Sequence, residues 1–279
     1  MRGSDINIDI TRKCTLKCRH CYNHSGEMNN DELASDELFR IMNDLASTRP
    51  DNFCICGGEP LLTTELIFRF IEQEKKINSE MNIGMVTNGE LLTESIGEKL
   101  IYYGLNNIQF SIDGATENSH DWLRNKKGLF ENLLHTIMQL NILRRKAKSD
   151  IKISAVCCLN KRNYEELPKI IELCTRLGID ILRVQPLMKM GRAKEGLDAY
   201  SLSKNEYIQA ANYLLVNRYK NIQKDGISIE WCDSLEHLFM EQLDFIQVNE
   251  KGELLLSPIT IPFPHLSIYS NYNWGFKKT

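Results

Sequence analysis

The chain reads as an α/β protein, a partial (β/α)6 barrel followed by a small α+β appendage. Three observations predict this. Apolar strand-like segments alternate with amphipathic helical segments about every thirty residues, the length of one βα unit. The strand-like segments are rich in Ile, Val and Phe, as parallel strands buried on both faces require. Six such units occupy about 180 residues, short of the eight units and roughly 250 residues of a closed barrel.

In chain order, Ile6 to Ile10 is the first expected strand and Glu32 to Ala46 the first helix. Asn52 to Cys56 and Thr64 to Lys76 form the second unit, and Asn82 to Val86 with Leu92 to Tyr103 the third. Asn107 to Ile112 precedes a long helix from Leu129 to Lys146. Ile151 to Cys158 precedes one from Tyr164 to Leu177, and Asp180 to Gln185 is the sixth strand. Together these assign residues 1–187 to the barrel. A linker with Gly191 and Gly196 then opens an α+β region over 188–279. It holds a helix over Leu202 to Gln223 and a short strand over Gly226 to Trp231. Phe245 to Val248 and Leu254 to Leu256 make a hairpin around Asn249-Glu250-Lys251-Gly252. Pro258, Pro262 and Pro264 among aromatics give an extended tail.

Composition narrows the classes. At 279 residues and 42% hydrophobic, the chain buries a sizeable core. A net charge of −3 with both signs interspersed provides no field for nucleic acid or an anionic membrane. No apolar run reaches the length of a membrane span. Met1-Arg2-Gly3-Ser4, which has the look of an expression remnant, leads into a strand instead of a signal core, so the expected location is the cytoplasm. Nine cysteines, an odd number, suit reduced thiols and metal ligation better than a disulfide framework.

Three of the nine carry the functional signal. Cys14, Cys18 and Cys21 stand at C-x3-C-x2-C spacing just after the first strand. A four-iron cluster is normally held by four thiolates, so a tight triplet leaves one iron open for chemistry. A structural zinc site is the competing reading, but zinc prefers four closed ligands and paired knuckles. The next cysteines, Cys54 and Cys56, sit one residue apart in an apolar strand, and His20 would have to strain a short loop to complete such a site.

Parallel barrels place their sites in the loops that follow the strands, and every polar motif of the first half falls there. Gly57-Gly58-Glu59-Pro60 follows strand two, where the glycines admit close backbone approach and Glu59 offers an acceptor to an ammonium group. Thr87-Asn88-Gly89 follows strand three, Ser111-Ile112-Asp113-Gly114 ends strand four, and Gln185-Pro186-Leu187 with Gly191-Arg192 follows strand six. One such loop is an ordinary turn. Five around one rim describe a site.

With these motifs in this order over residues 5–192, the chain resembles the radical S-adenosylmethionine (SAM) enzymes, in the branch that modifies peptides and proteins. The resemblance implies that Cys14, Cys18 and Cys21 ligate one [4Fe–4S] cluster whose open iron is chelated by SAM. It implies that Gly57, Gly58 and Glu59 hold the SAM amino group, that Asn88 and Ser111 contact its carboxylate or ribose with Arg192 a further candidate, and that His20 lies near the adenine. It further implies reductive cleavage of SAM to a 5′-deoxyadenosyl radical, with a flavodoxin or ferredoxin as electron donor. The substrate class it implies is a precursor peptide made by the ribosome, as in maturases with a SPASM/twitch-type C-terminal region.

Those maturases carry further cysteines there for auxiliary clusters, whereas this chain has only Cys232 after Cys174. Cys232, at the end of the appendage strand, is the expected hydrogen-atom donor if the reaction is epimerisation. An enzyme acting on a small molecule such as a nucleotide would share every motif of the first half. A non-catalytic iron–sulfur sensor would share the triplet but not need the loops. Cys54, Cys56, Cys157, Cys158 and Cys174 read as small packing groups. His135 and His265 read as structural histidines, and Arg144-Arg145-Lys146 as a solvated helix end.

Overall fold

The computed structural model describes residues 5–26, 32–222, 226–231, 245–248 and 254–257. Met1 to Ser4, the hairpin turn, Cys232, His265 and the proline-rich tail lie outside the described residues.

The sheet is parallel throughout. Its strands are β1 (Asp5–Asp9), β2 (Asn52–Cys56), β3 (Asn82–Thr87), β4 (Asn107–Ser111), β5 (Lys152–Leu159), β6 (Ile181–Pro186) and β7 (Ser228–Trp231). They lie side by side in chain order, so each crossover is one βα step and the sheet curls without closing. The crossover helices are α1 (Ser35–Ser47), α2 (Thr64–Ile77), α3 (Glu94–Tyr103), α4 (Glu117–Arg124), α5 (Leu129–Ala147), α6 (Leu167–Arg176) and α7 (Lys204–Ile222). Alternation along each strand divides its side chains between two layers. Ile8, Phe53, Ile55, Ile83, Ile108, Phe110 and Leu182 join the core with Phe70, Ile137 and Ile170 of the helices.

The sheet has seven strands, one more than the six expected. The short strand assigned to the appendage is β7, paired with β6 in the register Arg183↔Glu230. The sheet-forming part therefore runs past the boundary expected at 187 and 188. The cause is visible in the pairing: Glu230 makes the segment look too polar for a buried strand, but it accepts from Arg183 Nε at 2.7 Å. The remaining described part of the C-terminal region is the antiparallel hairpin of β8 (Phe245–Val248) and β9 (Leu254–Ser257), as expected.

Two helices depart from expectation. α1 begins three residues after Glu32, whose carboxylate is committed elsewhere: it accepts from Arg12 N at 2.7 Å and Thr11 Oγ1 at 3.0 Å. α4 was not anticipated. Thr116 caps it, its hydroxyl accepting from Ser119 N. At the end of α5, Arg144 is not solvated but pairs with Asp180 and donates to Asn141 Oδ1 at 2.6 Å.

Candidate active site

The loop over residues 14–26 has no regular structure and is closed at its base, where Cys14 N donates to the Gly26 carbonyl at 2.9 Å. Beside it runs the loop after β2. Gly58 N donates to Thr11 O at 2.6 Å and Glu59 N to Lys13 O at 2.8 Å. A Cβ on Gly58 would stand 2.1 Å from the Lys13 carbonyl oxygen, so only glycine permits this approach.

Cys14, Cys18, Cys21, His20, Gly57, Gly58, Asn88, Ser111 and Arg192 line one cleft of about 980 Å³, adjoining solvent included, at the C-terminal ends of the strands. The topology thus brings nearly all the expected site residues together. Among the described residues, Glu59 is the exception. It is fully buried behind the wall, where its carboxylate accepts from Leu61 N at 3.1 Å, Thr87 Oγ1 at 2.7 Å and Asn88 N at 2.9 Å. Burial pushes its carboxyl up to about 6 against those donors. Asn88, braced this way, directs Nδ2 at Thr15 Oγ1, 3.2 Å away, and toward Cys14 Sγ at 3.8 Å.

Burial also pushes the Cys14 thiol up to about 12 and raises that of Cys18, so a thiolate persists here only against a neighbouring positive charge such as a metal's. Cys14 Sγ accepts from Leu16 N at 3.4 Å, and Cys21 Sγ accepts from Ser25 N at 3.2 Å. Among the described residues no three His, Cys, Asp or Glu side chains are gathered tightly enough to hold a single ion.

Behind Cys18 lies a charged group that motif spacing did not single out. Arg124, at the end of α4, donates from Nε to Asp113 Oδ2 at 2.5 Å and from Nη1 toward Cys18 Sγ at 3.9 Å. Asp113 Oδ1 accepts from Cys158 N at 2.7 Å. Burial pushes the Asp113 carboxyl up, but Arg124, His20 and His120 together hold it below the ordinary carboxylate range. Burial lowers His20 to about 4 and His120 to about 3, so both rings are neutral at physiological pH. His20 Nδ1 is a buried nitrogen with no partner, beside the cleft. The signal for this group was the acid of Ser-Ile-Asp-Gly and an arginine in the segment that follows it, joined only by the fold.

Of the cysteines read as packing groups, all are buried, and Cys56 and Cys158 also face the cleft. His135 is on the surface of α5.

The sequence profile of the radical SAM superfamily matches residues 8–174. The chain belongs to the radical SAM superfamily. It is 30% identical to the sporulation killing factor maturation protein SkfB of Bacillus subtilis over 203 residues, 72% of this chain and 47% of that one. It is 28% identical to the GTP 3′,8-cyclase of Clostridium perfringens over 268 residues, 88% of this chain and 78% of that one. Among solved structures, Streptococcus suis SuiB bound to S-adenosylmethionine superposes with a TM-score of 0.66 at 18% identity, covering 87% of this chain and 53% of that one. This radical SAM chain thus spans about half the length of SkfB and of SuiB. Members of the superfamily work with a [4Fe–4S] cluster and SAM. The residues present fit both groups: three thiols in one cleft, a glycine wall that a Cβ would obstruct, and an unpartnered buried imidazole nitrogen. Among the described residues, no helix is long and apolar enough to cross a membrane.

Proposed function

We propose that this chain is a cytoplasmic radical SAM enzyme that abstracts hydrogen from a ribosomally made peptide, yielding a crosslink or an epimerised residue. The carrying observation is the convergence of Cys14, Cys18 and Cys21 with Gly57, Gly58, Asn88 and Ser111 on one cleft at the mouth of an open parallel barrel. When bound, the cluster and SAM supply a radical able to take hydrogen from carbon.

The chain's own residues do the rest. The three thiolates hold the cluster, and the Gly57-Gly58 backbone, Asn88 and Ser111 seat SAM. Glu59 acts on SAM through Asn88, whose amide it fixes. Neutral His20, which lines the cleft and whose buried Nδ1 has no partner, lies near the adenine. The apolar walls formed by Leu16, Val86, Val156 and Pro186 exclude water from a reactive centre.

Similarity to SkfB, named as a maturation protein, supports a peptide substrate, as does the fold shared with SuiB. The open sheet supports it too, since β1 and β7 are its two ends and do not pair with each other among the described residues. Residues 188–279 supply the peptide-binding region, Cys232 returns a hydrogen atom if the outcome is epimerisation, and an acidic flavodoxin or ferredoxin delivers the electron. A small-molecule substrate is the second reading, favoured by the alignment with GTP 3′,8-cyclase along 88% of this chain.

Anaerobic reconstitution tests the core of the reading. About four irons per chain are expected, with 5′-deoxyadenosine formed from SAM and dithionite, and both lost when Cys14, Cys18 and Cys21 are replaced by alanine. Iron near eight per chain, or turnover retained in the triple variant, overturns it. If a short precursor-peptide reading frame lies beside this gene, incubation with that peptide, against GTP, separates the two substrate classes.

A further inference from the structure

The loop that carries all three thiols is held from across the barrel by one residue. Arg192, in the loop after β6, donates from its backbone N to Cys21 O at 2.9 Å. Its Nε donates to Cys18 O at 2.8 Å and its Nη2 to Ser25 O at 2.7 Å. Two carbonyls spread along one irregular loop, those of Cys18 and Ser25, are therefore gathered on a single planar donor, whose fork is rigid and always charged, while the backbone of the same residue holds a third. The residue before it is shaped to the same purpose. Gly191 has φ +50°, and a Cβ there would lie 2.2 Å from Cys21 O and 2.3 Å from Tyr22 O.

We propose that Arg192 is a positioning residue for the cysteine loop, and that Gly191-Arg192 is the clasp that sets where the three thiols stand. This replaces the contact to SAM expected of Arg192 and rests on the reading of Cys14, Cys18 and Cys21 as cluster ligands. The loop has few fixed points of its own: Cys14 N to Gly26 O, and Cys21 N to Cys18 O at 3.3 Å. Other outside anchors are at α4, where Arg19 N donates to Leu123 O at 2.9 Å and Arg19 Nε to Trp122 O at 2.9 Å, and at Asn88, whose Nδ2 donates to Thr15 Oγ1 at 3.2 Å. Without the Arg192 side chain, the carbonyls of Cys18 and Ser25 lose their donors together, and both residues are buried. The clasp also ties the thiols to the cleft wall opposite, because Pro186 and Met188 of the same connection line that wall.

The test uses the full chain with Arg192→Met, Arg192→Lys and Gly191→Ala. The first readout is hydrogen–deuterium exchange over residues 14–26 in metal-free protein. Exchange should accelerate about tenfold in Arg192→Met and in Gly191→Ala, with the melting temperature unchanged, because a local opening is eased and not the global one. Arg192→Lys, which keeps a cation and can reach one carbonyl, should recover part of the protection. The second readout is iron content and the electron paramagnetic resonance line shape of the reduced cluster before SAM is added. Both should degrade in Arg192→Met and Gly191→Ala alike, although only one of them removes charge. If exchange and line shape match wild type while SAM affinity alone falls in the Arg192 variants, the clasp is refuted and Arg192 is a cofactor contact. If wild-type protein takes up no iron, the cluster reading fails, and the exchange measurement still decides the clasp.

Discussion

Arg124 and Asp113 form an ion pair inside the protein, Nε to Oδ2 at 2.5 Å, with side chains 11% and 0% exposed. Removing one partner of such a pair leaves an uncompensated buried charge, which costs about 3–5 kcal/mol, whereas replacing both by apolar groups costs less. Asp113→Ala should therefore lower unfolding stability by that amount in urea titrations, and Asp113→Ala with Arg124→Met should recover part of the loss. A double variant as unstable as the sum of the singles would show that the two residues do not act as a pair.

Glu59 predicts a different pattern, because it serves donors from two loops. Glu59→Ala orphans Leu61 N, Thr87 Oγ1 and Asn88 N, at about 1–3 kcal/mol for each buried donor. Glu59→Gln keeps one acceptor oxygen and should cost less, since the oxygen can still take the Thr87 and Leu61 bonds while the new NH2 faces Asn88 N. SAM affinity should fall in both, in the order of the stability loss, as measured by calorimetry on reconstituted protein. Affinity lost in Glu59→Gln with stability intact would mean that the carboxylate meets SAM itself.

Glu59 also shows where sequence reasoning ends. The Gly-Gly-Glu-Pro run announced a loop at the cleft, and Gly57 and Gly58 are in its wall, yet the acid between them and the helix points inward to brace Asn88. Local spacing names the loop but not the direction of a side chain within it. The βα alternation was legible because apolar runs of strand length repeat at a fixed interval. β7 was misplaced because Glu230 breaks its run, and its partner Arg183 is nearly fifty residues away. The grouping of Asp113 with Arg124 and Cys18 was illegible for the same reason: the three lie in separate segments, and only the tertiary fold supplies the pairing.

His120 carries a pH signature. Its ordinary value is 6.5 and burial holds it at about 3, while Nδ1 accepts from Asp113 N at 3.1 Å, a bond that needs the neutral ring. Below pH 6.5 the unfolded chain binds a proton that the folded one refuses, so the contribution is fully present above 6.5 and is lost as pH falls toward 3. The slope approaches about 1.4 kcal/mol per pH unit. Glu59 acts oppositely, since its raised value lets the folded state hold a proton between about 6 and 4.5. The difference between wild type and His120→Asn, whose amide oxygen can replace the acceptor, isolates the histidine. Unfolding measured from pH 7 to 4 should show wild type losing stability faster than the variant. Parallel profiles would mean that His120 is protonated in the folded state.

Gly58 and Gly26 separate backbone contact from loop flexibility as the reason for glycine near the thiols. A Cβ on Gly58 meets the Lys13 carbonyl oxygen at 2.1 Å and the Arg12 carbonyl carbon at 2.9 Å, both backbone atoms that cannot rotate away. One on Gly26 meets only the flexible Lys17 side chain at 3.6 Å, ordinary contact. Gly58→Ala should therefore push the β2 loop off the cysteine loop, breaking the Gly58 N to Thr11 O and Glu59 N to Lys13 O bonds together. Iron retention after gel filtration and SAM affinity should both fall about tenfold or more, the scale on which supporting contacts act on metal affinity. Gly26→Ala, in the cysteine loop itself, should retain iron as wild type does. Equal loss in both variants would show that the loop needs flexibility at glycine, and that close approach of the two loops is not what forms the cradle.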